Sequence, residues 1–455
     1  MAKVMLIQPN EDIRNRKLKI ITFTPLSLIY LGTAIEDKHT VKIYDRNINN
    51  NDEDFIKFLK EYNPQVVGIT SAVSTMLFDV INIGKLVKRN LPKAIIIVGG
   101  VHATVDPDSV LNEPYVDYII RGEGEEAFLE FCDTFDNSPK KLGTLRNINK
   151  NKLRPFIDMN KLKLPNYNLL DLDKYERFYV NLTRGCIANC SFCYNVQMWG
   201  KNCHPFVRSY SSEKTIKLIE KIVKDYKRKV FFIIDDNFLF FKNRCIEVCN
   251  VLRNYNISFY TVSRADSINE DVLKALKQAG CHTIAIGIES GSQRILDLLN
   301  KKVSMEQNIN AIRLCKKYKI KCDALFMIGL PTETIEDLQE TIGFIKKYNP
   351  DVADVHIYNP LPSKLFDEYI LNGKIKKPNT LEEWANYGGI RRNELKNNVS
   401  EIPDERIFES INEIKHFRFL RKGIKRVFFW ISKGEIKYVL RKIREKIKRE
   451  DYDSN

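Results

Sequence analysis

Cys186, Cys190 and Cys193 stand at C-x3-C-x2-C spacing inside the segment 183–194 (TRGCIANCSFCY). Thiolates on one short loop can converge on a soft metal centre. An iron–sulfur cube is usually held by four cysteines, one per iron. Three ligands therefore leave one iron open to chemistry. The alternative is a zinc site, which prefers four tetrahedral ligands, with Cys203 or His204 as the fourth. Downstream, Glu289 ends an apolar run (IAIGI, 284–288). A carboxylate there can bond both hydroxyls of a ribose, or simply cap a strand. Arg264 and Lys302 are cations able to pair with a ligand carboxylate, Arg through a two-pronged fork. Lys301-Lys302 also reads as a solvated turn. Gly329-Leu330-Pro331 offers backbone groups at a strand end. Asp235 and Asp236 form a carboxylate pair at another, able to bind a ligand or to orient Arg184.

The elements that must position these residues form two alternating series. In the first 130 residues, β-branched runs at 3–8, 40–44, 66–70, 94–98 and 116–120 alternate with helical patterns at 26–36, 54–62 and 80–89. Such alternation predicts βαβ units and a doubly wound parallel sheet. Ligands in such sheets sit beyond the carboxyl ends of the strands. Those ends carry Ser71–Thr75, Gly99-Gly100-Val101-His102 and Arg121–Glu125 (RGEGE). The glycines at 99 and 100 permit close backbone approach. Residues 136–176 are polar and read as a linker. A second series follows, with strands expected at 179–183, 230–235, 258–263, 283–289, 321–327 and 352–357 and helices between them. Six βα units in about 180 residues are too few for an eight-fold barrel of ~250, and suit a partial one. The expected boundaries are 1–135, 136–176, 177–370 and a basic, mostly helical region 371–455.

The chain has 455 residues, 44% hydrophobic and 29% charged, with a net charge of +15. This is ordinary globular usage. No apolar run reaches the ~18 residues of a membrane span. MAKVMLIQPN reads as a strand, not a signal peptide, so a cytoplasmic location is expected. The ten cysteines are then expected to be thiols or ligands rather than disulfides. Cys245 and Cys249 fit a core-facing helix stripe, and Cys132, Cys281, Cys315 and Cys322 are isolated. From Ile411 to Glu450, fourteen Lys and Arg face four Glu, a surplus of ten out of the fifteen net charges. Phe417, Phe419, Phe428, Phe429, Trp430 and Tyr438 interleave with these cations. The pattern fits an interfacial amphipathic helix, with nucleic acid or a solvated face as competitors. The aromatic clustering favours a membrane surface over nucleic acid.

Over residues 3–370 the sequence resembles radical S-adenosylmethionine (SAM) enzymes with an N-terminal cobalamin-binding-type domain, the class B methyltransferase-like architecture. The resemblance rests on the cysteine loop with Phe192. It also rests on FIIDDNF (232–238), SRAD (263–266), GIESGS (287–292), GLP (329–331), GGVHAT (99–104) and RGEGE (121–125). It implies an oxygen-sensitive [4Fe–4S] cluster on Cys186, Cys190 and Cys193, with SAM on the open iron. One-electron reduction then yields a 5′-deoxyadenosyl radical. The SAM contacts implied are Phe192, Arg264, Glu289, Ser290, Lys302 and Gly329. Ser71, Thr75, Gly99, Gly100 and His102 would face cobalamin. The Asp-x-His-x-x-Gly loop of many cobalamin domains is absent. The resemblance also implies an electron donor such as flavodoxin or ferredoxin, and a small-molecule or lipid substrate. Three functions follow as expectations: cobalamin-dependent methyl transfer to an unactivated carbon; a cobalamin-free radical cyclisation, oxidation or rearrangement; and a non-catalytic zinc protein held to nucleic acid by its tail.

Overall fold

The structure, a computed structural model, describes residues 1–11, 21–72, 76–137, 148–149, 153–195, 198, 207–359, 361–387, 390–391, 394–395 and 398–432. In the N-terminal part, β1 (Lys3–Gln8), β2 (Thr40–Asp45), β3 (Val66–Thr70), β4 (Ile95–Gly99) and β5 (Tyr118–Ile119) form one parallel sheet in the order β2-β1-β3-β4-β5. The inner strands are buried on both faces, which is why they read as continuous apolar runs rather than alternating ones. On one face Val4, Leu6, Val66 and Ile97 pack with Leu28, Ile35, Phe128 and Phe131 of the helices α1 (Leu26–Ile35) and Glu125–Asn137. On the other, Met5, Ile7, Val67, Ile69, Ile96 and Val98 meet Phe55, Leu59, Leu77 and Val80 of the helices Asp52–Tyr62 and Leu77–Asn90. The helix at 52 starts two residues before the sequence pattern because Asn51 accepts from the amides of Glu53 and Asp54, a standard N-cap.

The second sheet is also parallel. It orders β6 (Tyr179–Val180), β9 (Val230–Ile233), β10 (Ser258–Arg264), β11 (Cys281–Glu289), β12 (Lys321–Ile328) and β13 (Val352–Ile357) side by side. Helices follow the strands, as a partial (β/α)6 barrel requires. The first barrel strand is shorter than the sequence suggests. Asp235 Oδ1 accepts from the Leu182 amide at 2.8 Å and from Asn181 Nδ2 at 2.9 Å. The chain leaves the sheet there, and β7 (Thr183–Arg184) pairs antiparallel with β8 (Arg208–Ser209). Cys132, Cys245, Cys249, Cys281, Cys315 and Cys322 are buried free thiols, small core residues.

The segment expected to link the two sheets is packed over its described residues. Ile157, Met159 and Tyr167 are buried. The Asn166 amide donates to Thr33 Oγ1 at 2.8 Å, and Asn166 Nδ2 donates to Glu36. Tyr167 donates to the Tyr179 carbonyl at 2.7 Å. The C-terminal region returns to the N-terminal domain. Trp384, in the helix Leu381–Tyr387, is fully buried and donates through Nε1 to Asp106 Oδ2 at 2.6 Å. The helix Asp404–Ser432 begins on the barrel, with Glu413 paired to Lys346 and Arg418 Nη2 donating to the Asp351 carbonyl. Of the aromatic and basic tail, the side chains from 419 onward lie outside the described residues. Among the described residues no helix is long and apolar enough to cross a membrane.

Candidate functional site

The cysteine loop hangs from backbone anchors that do not involve its thiols. The Gly185 amide donates to Asp236 Oδ2 at 3.0 Å, and Asn195 Nδ2 donates to Asp236 Oδ1 at 3.0 Å. The Ser191 amide donates to the Leu299 carbonyl at 2.9 Å, and the Ser191 carbonyl accepts from the Leu365 amide at 2.8 Å. Asn300 Nδ2 donates to the Asn189 carbonyl at 2.6 Å. Asp235 and Asp236 therefore hold the loop, and Arg184 is oriented by other groups.

Cys190 is buried, and Cys186 and Cys193 are half-buried. Burial pushes the Cys193 thiol up to about 12, and the neighbouring Cys190, Asp236 and Cys186 add to that rise. Burial likewise raises Cys186. The Cys186 and Cys193 thiols, which burial keeps from ionising alone, suit a metal centre, whose positive charge deprotonates its ligands. Arg264 Nη1 lies 3.4 Å from Cys190 Sγ. Among the described residues no three His, Cys, Asp or Glu side chains form a group that could hold one metal ion. A cube takes each thiolate on a different iron and spreads them apart. Cys203 and His204 lie outside the described residues.

Beside this loop, the ends of β10, β11 and β12 converge. A register shift between Gly287 and Glu289 breaks the pairing of β11 with β12, and Glu289 takes φ +67°. Such bulges re-aim side chains near functional sites. Glu289 Oε1 accepts from Lys301 Nζ at 2.7 Å, with both side chains nearly buried. A Cβ at Gly287 would lie 2.4 Å from Glu289 Oε1 and 2.9 Å from Lys301 Nζ. Arg264 is gripped by Asp266, with Nη2 2.7 Å from Oδ2, and donates to the Lys301 carbonyl at 2.7 Å. Phe192 packs half-buried, its ring 5.9 Å from Lys301 Nζ.

Lys302 is corrected by this geometry. It is exposed, and its neighbour Lys301 occupies the site. Asn300 and Lys302 both take positive φ, so the turn presents Lys301 inward. Ser290 is fully buried. Its Oγ accepts from the Ser292 amide and bonds Thr341 Oγ1 at 3.1 Å, so it braces the loop. The Gly329 and Leu330 amides both donate to Glu333 Oε2. Burial raises the Glu333 carboxyl to about 7. Gly329 and Leu330 are both buried: a Cβ at Gly329 would lie 3.4 Å from Ile407, and the Leu330 carbonyl accepts from the Glu333 amide at 3.0 Å.

A cavity of about 350 Å³ lies between the two sheets. Its lining includes Gly68, Gly99, Gly100, Gly122 and Gly124 from the N-terminal domain, and Asn181, Arg184 and Ile234 from the barrel. It opens beyond the strand ends β3 and β4, where parallel sheets bind ligands. A side chain at Gly99 would meet just the Ile120 carbonyl, at 3.6 Å. A largely apolar wall with bare backbone suits a large flat ring. Gly100 is different. Its φ is +94°, and a Cβ there would lie 2.8 Å from the Ser71 carbonyl oxygen, so the turn itself demands glycine.

Of the other residues expected to face cobalamin, Ser71 and His102 sit behind the wall. Ser71 is buried, with Oγ donating to the Gly99 carbonyl at 2.7 Å. His102 is 5% exposed, bonds Ser109 Oγ at 3.1 Å and packs edge-on to Trp384. Burial lowers it to about 4. His102 is thus a core residue and not a metal ligand. Thr75 lies outside the described residues. The carboxylates of Glu123 and Glu125, Lys301 and Asp266 were absent from the expected site. The RGEGE run was the available signal for the first two.

Residues 180–345 match the radical SAM superfamily model, and residues 22–131 match the B12-binding domain model. An uncharacterised methyltransferase of Pyrococcus horikoshii is 33% identical over 82% of this chain and 83% of its own. The anaerobic magnesium-protoporphyrin IX monomethyl ester cyclase of Rubrivivax gelatinosus is 29% identical over 67% of this chain and 58% of its own. The fold is similar to that of TsrM, a radical SAM methyltransferase of Kitasatospora setae solved with cobalamin and a [4Fe–4S] cluster. That match has TM-score 0.67 and 16% identity, and covers 82% of this chain and 75% of that one.

Proposed function

We propose, from the premise that this chain belongs to the radical SAM superfamily and carries an N-terminal B12-binding domain, that it is a cobalamin-dependent enzyme transferring a methyl group to an unactivated carbon of a small molecule. The observation that carries the reading is the cavity between the sheets, whose wall contains Arg184, two residues before Cys186. When bound, the [4Fe–4S] cluster, SAM and cobalamin supply one-electron chemistry, a radical precursor and a methyl carrier; the protein supplies position and electrostatics.

Cys186, Cys190 and Cys193 hold the cluster. Glu289 spends Oε1 on Lys301, which leaves Oε2 to accept from a ribose hydroxyl. Arg264, whose Nε and Nη2 are taken by Asp266, sits beside Cys190 and would lend positive charge to the SAM carboxylate. The glycine wall brings the corrin close to the cluster loop, and closeness matters because a carbon radical must meet its methyl source before it quenches. The electron comes from a ferredoxin or flavodoxin.

The similarity to the cyclase favours a second reading, a radical cyclisation or oxidation without methyl transfer. Reduced, cofactor-loaded protein incubated with methyl-labelled SAM and a metabolite extract separates them. Label in a new small molecule, formed alongside 5′-deoxyadenosine, supports methyl transfer. 5′-Deoxyadenosine with the label in methionine alone supports the second reading.

Two substitutions probe the separate sites. Gly99→Val fills the cavity wall without a backbone clash, so cobalamin per chain should fall several-fold while iron per chain stays constant. Equal cobalamin loading would move the corrin elsewhere. Gly287→Ala displaces the Glu289–Lys301 pair. SAM affinity should drop by roughly 10–100-fold, the value of one hydrogen bond to a charged group. Unchanged affinity in equilibrium dialysis would remove Glu289 from the ribose.

A further inference from the structure

We infer that Arg184 is the positioning residue that couples the B12-binding domain to the cluster loop, so that filling either site tightens the other. The inference rests on the reading that the cavity holds cobalamin.

Arg184 ends β7, one residue before Gly185 and two before Cys186. Its guanidinium is taken up by the other domain. Nη1 donates to Glu123 Oε1 at 2.9 Å, Nη2 donates to Glu125 Oε1 at 2.6 Å, and its carbon lies 4.8 Å from the centre of the Tyr30 ring. Glu123 and Glu125 follow β5, and Tyr30 lies in α1. The pairs are nearly dry, with side chains 14%, 6% and 8% exposed for Arg184, Glu123 and Glu125.

The Glu123 carboxylate also reaches the other strand of the ribbon. Glu123 Oε2 accepts from Arg208 Nη1 at 2.7 Å and from the Ile157 amide at 2.8 Å. Arg208 belongs to β8, the partner of β7. Tyr30 and Tyr210, just past β8, share a hydroxyl–hydroxyl bond of 2.8 Å. The short ribbon that leads into the cluster loop is thus held on one side by Asp235 and Asp236 of the barrel, and on the other by three residues of the N-terminal domain.

Arg184, Glu123, Glu125 and Tyr30 also line the cavity. A ring bound there touches the side chains that fix the backbone entering Cys186. A planar fork bonded to two carboxylates has one favoured orientation, unlike an ammonium. A change in those carboxylates is therefore passed to the loop as a change in position. Coupling between two binding sites is reciprocal by thermodynamic necessity, which makes it measurable from the cobalamin side.

The experiment titrates hydroxocobalamin into the full chain, anaerobically, with the cluster reconstituted and again after the iron is chelated. The cluster-loaded wild type should bind cobalamin about tenfold tighter, within the roughly 5–150-fold span of such couplings. Glu125→Gln should erase the ratio while keeping iron and sulfide content. Arg184→Lys, which keeps the charge and loses the fork, is the second variant and should shrink the ratio. The visible spectrum of the wild-type cluster should also shift on cobalamin addition, and that shift should vanish in Glu125→Gln. Equal affinities in the two wild-type states, or a ratio preserved in both variants, overturns the coupling alone. Wild type that binds no cobalamin in either state overturns the corrin reading, and the coupling with it.

Discussion

Replacing Cys186, Cys190 and Cys193 together with Ala is expected to yield a folded chain that lacks the brown cluster chromophore. Iron and sulfide should fall from about four each per chain, the content of one cube, to background. The fold should survive because the anchors of the loop are not its thiols. The amides of Gly185 and Ser191 and the carbonyls of Asn189 and Ser191 bond to Asp236, Leu299, Asn300 and Leu365. The substitutions also remove Cys186 and Cys193, two groups that burial already disfavours as thiolates. Thermal unfolding of the iron-free wild type and the triple variant should therefore coincide within a few degrees. Wild-type protein that is colourless, with one zinc per chain and no sulfide, would sink the cluster assignment and revive the zinc reading.

Lys301→Met is expected to destabilise the chain by roughly 3–5 kcal/mol, the cost of leaving a buried charge without its partner. Glu289 is held at positive φ on a bulge, so it cannot swing out to water without undoing the strand end. Removing both charges in Glu289→Gln/Lys301→Met should recover most of the loss, since a buried pair replaced as a unit is often nearly neutral. A double-mutant cycle read by urea unfolding isolates the interaction. SAM binding should behave differently. It should weaken by roughly 1–3 kcal/mol in Glu289→Gln and stay weak in the double variant, because the ribose hydroxyls lose their charged acceptor in both. A Lys301→Met cost below about 1 kcal/mol would mean that water relieves the pair.

The strands were legible because burial leaves a plain record in sequence. Val66–Thr70 and Val352–Ile357 fall where the apolar and β-branched patterns put them. The cysteine loop was legible because three cysteines so close along the chain cannot lie far apart in space. The SAM end was legible in part. Glu289 stands at the end of its strand, but the bulge that turns it inward has no periodic signature. Lys301 and Lys302 are adjacent and identical in type, and the left-handed turn around them decides which is buried. His102 was expected to face cobalamin because sequence shows a strand-end histidine and hides Trp384, which meets it from the far end of the chain. Arg184 could be placed beside the cysteines, whereas its carboxylate partners lie about sixty residues upstream in another sheet, beyond the reach of any local pattern.

Trp384 also bears on how this chain is made. Its bond to Asp106 closes a loop of 278 residues. The face of the N-terminal domain that holds His102 and the helix Leu77–Asn90 is covered by Trp384 and Tyr387. A ribosome adding ~5–20 residues per second needs on the order of tens of seconds to go from residue 106 to residue 384. During that interval the nascent domain shows an uncovered apolar face, and such long-range closure is slow even once the chain is free. Production of the intact protein should therefore depend on chaperone capacity and growth temperature. Chains interrupted before residue 384 should be the species that aggregate.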